Sequence, residues 1–78
     1  MATLRLFASA REAAGTERAT IDAPTVGAVL DEAMLRFGEG FAAVLVRSRV
    51  WVNGDPADRG DAVGPDDEVA VLPPVSGG

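Results

Sequence analysis

Residues 3–7, Thr-Leu-Arg-Leu-Phe, alternate: Leu4 and Leu6 fall on one side, Thr3, Arg5 and Phe7 on the other, which is the two-residue period of a strand with one buried face. The segment Ala-Ser-Ala-Arg-Glu-Ala-Ala (8–14) reads as a loop or helical turn closed by Gly15. Residues 18–22, Arg-Ala-Thr-Ile-Asp, predict a second strand that pairs with the first as a hairpin across a long connection. The period then changes. Val26, Val29, Leu30, Ala33 and Phe37 recur at helical spacing, Thr25 is placed to cap the first turn, and Gly38 or Gly40 to end the last. Residues 41–46, Phe-Ala-Ala-Val-Leu-Val, fit either a short helix or a buried strand, and periodicity does not choose between them. Arg49–Val52 predicts a strand that turns at Asn53-Gly54, a pair suited to the positive φ angles of a type I′ turn. Asp66–Leu72 predicts a last strand, which Pro73 and Pro74 terminate because they bring no N–H to a ladder.

Strand, strand, helix, short element, strand, strand is the order of an α+β domain in which one main helix packs across one face of a mixed sheet. The β-grasp satisfies it, with a domain over residues 1–72 and a tail over 73–78. In that arrangement the first and last strands are neighbours at the sheet centre, and Leu4, Leu6, Val69 and Val71 meet the helix. Alternation then sends Glu68, Ala70 and Leu72 to the opposite face beside Arg5 and Phe7. Trp51 joins them if Val50 and Val52 are core. The expected result is an exposed apolar patch of Phe7, Leu72 and Trp51, rimmed by Arg5 and Glu68, at the root of the tail. Contiguous apolar surface of this kind suits a docking site.

Composition narrows the chemistry. With 78 residues and 47% apolar content the chain fills one modest core. It has no cysteine and no histidine, which removes thiolate nucleophiles, imidazole bases and the usual zinc ligands. A net charge of −5 opposes nucleic acid and anionic lipid, and no segment has the length and apolarity of a membrane span or the form of a leader. The expectation is a cytoplasmic protein that binds no metal or cofactor itself. All seven basic side chains are arginine.

The closing Pro-Pro-Val-Ser-Gly-Gly (73–78) is the candidate for chemistry. One reading is a frayed end on an interaction module. Another makes the Gly78 α-carboxylate the reactive group, activated by a partner as an acyl-adenylate. Gly77 and Gly78 lack a Cβ and pass through a narrow channel, while Pro73 and Pro74 stiffen the exit from the globule.

Residues 6–12 (Leu-Phe-Ala-Ser-Ala-Arg-Glu), Val52-Asn53-Gly54 and the ending Asp66–Gly78 give the chain a full-length resemblance to the ubiquitin-like sulfur carriers of the MoaD and ThiS group, most closely to the small subunit of molybdopterin synthase. Members usually carry Asp-Gly-Asp-Glu-Val before the final strand, where this chain has Gly64-Pro65-Asp66-Asp67-Glu68-Val69. The resemblance implies that an adenylating enzyme of the ubiquitin-activating type, with ATP and Mg²⁺, activates Gly78, and that a persulfide donor converts it to a thiocarboxylate. It implies further that the tail enters a molybdopterin synthase large subunit and delivers sulfur to a cyclic pyranopterin precursor. Pro73, Pro74, Val75, Ser76 and Gly77 are then the threaded arm, Phe7 and Leu72 contact the partner with Arg5 and Trp51 beside them, and Arg11, which lies with Glu12 in the matching Ala-Arg-Glu stretch, is a further partner-binding candidate. A thiazole-forming sulfur carrier shares fold, activation and ending. A ubiquitin-like modifier would use the same activated tail to acylate a lysine of another protein, but without lysines of its own it forms no polymers through them.

Overall fold

The computed structural model describes residues 1–74. Five strands form one sheet: β1 (Ala2–Leu6), β2 (Arg18–Ile21), β3 (Arg49–Val52), β4 (Asp55–Pro56) and β5 (Glu68–Leu72), in the spatial order β2-β1-β5-β3-β4. Three helices, α1 (Ala8–Ala14), α2 (Val26–Phe37) and α3 (Glu39–Leu45), contribute to the same core. This is the β-grasp, ubiquitin-like fold. β1 and β5 run parallel at the centre, with Leu4 opposite Val69 and Leu6 opposite Val71, and β2 and β3 flank them antiparallel. Among the described residues no helix is long and apolar enough to cross a membrane.

Leu4, Leu6, Val69 and Val71 are buried, as alternation requires, against Val26, Val29, Leu30 and Ala33 of α2. Each fully buried branched side chain contributes about 1.5–3 kcal/mol. Thr25 caps α2 by accepting the Ala28 N–H at 3.2 Å. The loop between β4 and β5 completes the cap: Val26 N–H donates to the Asp61 carbonyl at 2.9 Å and Gly27 N–H to the Arg59 carbonyl at 2.8 Å. The leading N–H groups of the helix are therefore satisfied within the chain. Glycine suits position 27 because a Cβ would lie 3.1 Å from the Arg59 oxygen, so that a larger residue would require the loop to give by a few tenths of an ångström.

Two segments resolve differently from the simplest reading. The connection between β1 and β2 is a helix, α1, ended by Gly15 at φ 76°, so the first two strands pair antiparallel without a tight turn. Ala8, at φ 50°, makes the corner from β1 into α1. Residues 41–46 are mostly helical: Phe41 and Leu45 lie one turn apart and both are buried, which a strand could not achieve with both on one side beside exposed Ala43. Phe41 meets Phe37 of α2 edge to face, with ring centroids 5.3 Å apart. At the Asn53-Gly54 turn both residues have positive φ, 50° and 87°, as expected.

Candidate functional site

The outer face of the sheet is built by the residues that alternate with the core. Register places Arg5 opposite Ala70 and Ala70 opposite Trp51, while Leu72 stands opposite Arg49. Val50 and Val52 pack against the core, which turns Trp51 outward. Phe7 follows β1, and its N–H donates to the Val71 carbonyl at 3.3 Å, so it lies level with the end of β5. Arg5, Phe7, Trp51 and Leu72 are thereby brought onto one face at the tail root. Arg11 is exposed on α1, away from the sheet registers that assemble the other four.

This patch is less open than the pattern predicts. Phe7, Trp51 and Leu72 are half-buried, whereas the most exposed large apolar side chains are Leu35 and Val46, each 83% exposed. Arg5 supplies part of the cover on Phe7. The Arg5 guanidinium sits 5.3 Å from the centroid of the Phe7 ring and reaches Glu68 at 3.8 Å. Both contacts are solvent-accessible, each worth about 1 kcal/mol or less, so they shade the face without closing it.

Charge divides the sheet by its ends. At the end where β5 finishes, Arg18 opens β2, Arg49 opens β3 with Arg47 just before it, and Arg11 stands on the helix that follows β1, with Glu12 and Glu17 nearby in the chain. The opposite end carries Asp22, Asp55, Asp66, Asp67 and Glu68. Among the described residues the ion pairs hold Arg5, Arg36 and Arg59, and none holds Arg11, Arg18, Arg47 or Arg49. Asp67 anchors the acidic end. Its carboxylate accepts the Gly64 N–H at 2.7 Å and the Asn53 side-chain amide at 2.9 Å, and these two bonds, the backbone one foremost, hold its pKa below the ordinary 3.8 against a smaller opposing effect of desolvation.

Sequence reasoning missed Arg47 and Arg49. Arg49 was legible, because it shares the outward phase of Trp51 in the same strand; Arg47 depends on the turn after α3, which periodicity leaves open. Pro73 and Pro74 follow β5 and line, with Arg47, Arg49, Trp51 and Leu72, an open cleft at the end of the sheet. Val75, Ser76, Gly77 and Gly78 lie outside the described residues.

The chain matches the ThiS family over residues 4–78. It is similar to the structure of SAMP1 from Haloferax volcanii, at 33% identity and a TM-score of 0.82, over 99% of this chain and 98% of that one. It is similar also to a Pyrococcus furiosus protein provisionally named molybdopterin converting factor, subunit 1, at 25% identity and a TM-score of 0.83, over 95% and 97% of the two chains. A BexX/CysO complex from Amycolatopsis orientalis shares the fold, at 20% identity and a TM-score of 0.81, with 100% of both chains covered. No curated protein sequence matches.

Proposed function

The chain belongs to the ThiS family, the ThiS/MoaD-type ubiquitin-like sulfur carriers, and from that membership we propose that it is the sulfur-carrying small subunit of a molybdopterin synthase. The observation that carries the reading is its likeness, over 95% of its length, to the Pyrococcus furiosus protein named for molybdopterin conversion. A chain without thiol or imidazole carries sulfur at its Gly78 carboxyl group. On an adenylating partner the carboxylate attacks the α-phosphorus of ATP and pyrophosphate leaves. A persulfide then attacks the acyl carbon and AMP leaves, and a thiol reduces the acyl disulfide to a thiocarboxylate, closing a disulfide on the donor. The half-buried face of Phe7, Trp51 and Leu72 docks on the large subunit, while Pro73 to Gly77 lead the sulfur to the pterin precursor held there. Placing sulfur and substrate together is the carrier's contribution to rate.

Deleting Gly78 is expected to leave thermal unfolding unchanged, because the described core ends at Val71, and to abolish sulfur transfer. Mass spectrometry of the full chain, co-expressed with an adenylating enzyme of its family, is expected to show a species with one oxygen replaced by sulfur. Full complementation by the chain lacking Gly78 would sink the carrier reading. The likeness to SAMP1, a small archaeal modifier protein, favours a second reading in which Gly78 acylates a lysine of another protein. The thiocarboxylated chain separates the possibilities: with a molybdopterin synthase large subunit and the cyclic precursor it should yield the dithiolene. Turnover only with a thiazole synthase, or isopeptide-linked products alone, would replace the molybdopterin assignment.

A further inference from the structure

We infer that the cleft between Arg47, Arg49 and Trp51 on one side and Leu72, Pro73 and Pro74 on the other is a docking site for an acidic segment of a partner protein, one that pairs aspartate or glutamate with an adjacent large apolar side chain. The inference goes beyond the sulfur-carrier reading and does not depend on which acceptor takes the sulfur.

Three observations meet at this cleft. The first is charge. The chain as a whole is acidic at −5, yet the end of the sheet at the tail root concentrates arginines that no ion pair holds among the described residues. Such a separation turns the molecule in an acidic partner's field so that the tail root leads, and it repels approach by the other end.

The second is the mixed lining. The walls are chiefly apolar, from the Trp51 ring, Leu72 and the two prolines, and the two guanidinium groups supply the charge. A bare phosphate would use the arginines and leave the apolar walls wet. A plain apolar side chain would use the walls and leave the arginines unmatched. An acidic-apolar peptide uses both, because guanidinium forks grip a carboxylate with two hydrogen bonds while the neighbouring side chain covers the ring.

The third is position. Arg49 is the direct cross-strand neighbour of Leu72, and Arg47 lies beside both prolines as well as Ser9 and Val44 in a second cleft on the other side of the tail root. An occupant that bridges the arginines therefore lies against the base of the tail, at Pro73 and Pro74. The cleft shares Trp51 and Leu72 with the apolar face, and its arginines add a selection by charge to the contact that face makes.

Trp51 is the chain's one tryptophan, so its emission reads occupancy directly. The test titrates the full-length protein with a synthetic peptide alternating leucine and glutamate, its leucine-lysine counterpart, and pyrophosphate. The expected result is a saturable change in Trp51 emission with the glutamate peptide alone, weakened about tenfold on raising salt from low to high as exposed charges are screened. The double variant R47E/R49E should abolish it, R47K/R49K should retain part of it, and R36E, on helix α2 and outside the arginine cluster, should leave it intact. All three variants alter exposed side chains, and circular dichroism checks that each remains folded. Equal binding of the lysine peptide, binding of pyrophosphate as tight as the acidic peptide, absence of a response, or no effect of R47E/R49E would each overturn the inference. None of these readouts involves sulfur, so failure of Gly78 to acquire it leaves the titration standing, and the reverse holds too.

Discussion

The two faces of β5 are built from consecutive residues, and they answer to different constraints. Val69 and Val71 are fully buried between sheet and helices, where shape is fixed by close packing. Glu68, Ala70 and Leu72, one step out of phase, are half-buried on a face that, among the described residues, no helix covers. The inner residues determine whether the chain folds. The outer ones, on the reading proposed above, determine what the folded chain meets, and the pleat lets a single strand hold both roles because a side chain on one face has no contact with the other.

The strongest way to break this contrast is from inside. Leu4→Ala removes a side chain with no exposure from the centre of the sheet, and it should cost about 2–5 kcal/mol in urea unfolding followed by Trp51 fluorescence. A much smaller loss would mean that helix and sheet can close over the space. Working from outside, Leu72→Glu should weaken docking to a large subunit or adenylating enzyme by about 2 kcal/mol or more, measured calorimetrically, if Leu72 is an interface anchor. The same variant should lose about 1 kcal/mol or less of stability, because only part of the side chain is covered in the free chain. Collapse of the fold instead would show that the outer face is structural.

The smallest effect lies at the acidic end and appears only in acid. The folded pKa of Asp67 is depressed, so its stabilisation is present above the unfolded carboxylate value and is lost as the pH falls through the folded value. Wild type should show this loss below about pH 4, and Asp67→Ala should lack that component of the acid limb in chemical denaturation at each pH. Docking near neutral pH should be unaltered in Asp67→Ala, since the Asn53-Asp67 contact lies at the end remote from the tail. Reduced docking there would mean that the partner spans the whole outer face.

What the sequence made legible follows the same division. Strands with one buried face announce themselves by period, so Leu4, Leu6, Val69 and Val71, the outward phase of Arg5 and Leu72, and the Asn53-Gly54 turn all emerged from spacing. Thr25 did so through its chemistry. The short helices were less visible because few residues in each are buried: Ala10 in α1, and Phe41 with Leu45 in α3. Seven residues give barely two turns of periodicity, and tertiary packing then decides. Within the candidate site, the membership of the outer face was legible but its degree of exposure was not, since the screening of Phe7 by Arg5 is a matter of rotamers. The clustering of arginines at one end was hidden for another reason. Arg11, Arg18, Arg47 and Arg49 are scattered in the chain, and only the strand order gathers them.

The parallel pairing of β1 with β5 also has a consequence in time. Leu6 and Val71 are neighbours in space at opposite ends of the sequence, so the middle of the sheet closes only after a long loop has been gathered in, a step that slows folding. The outer face takes Arg5 and Phe7 from the beginning of the chain and Ala70 and Leu72 from close to its end. No fragment lacking either segment displays that surface. On the docking reading proposed above, a partner would meet this face only on chains whose two central strands have already paired.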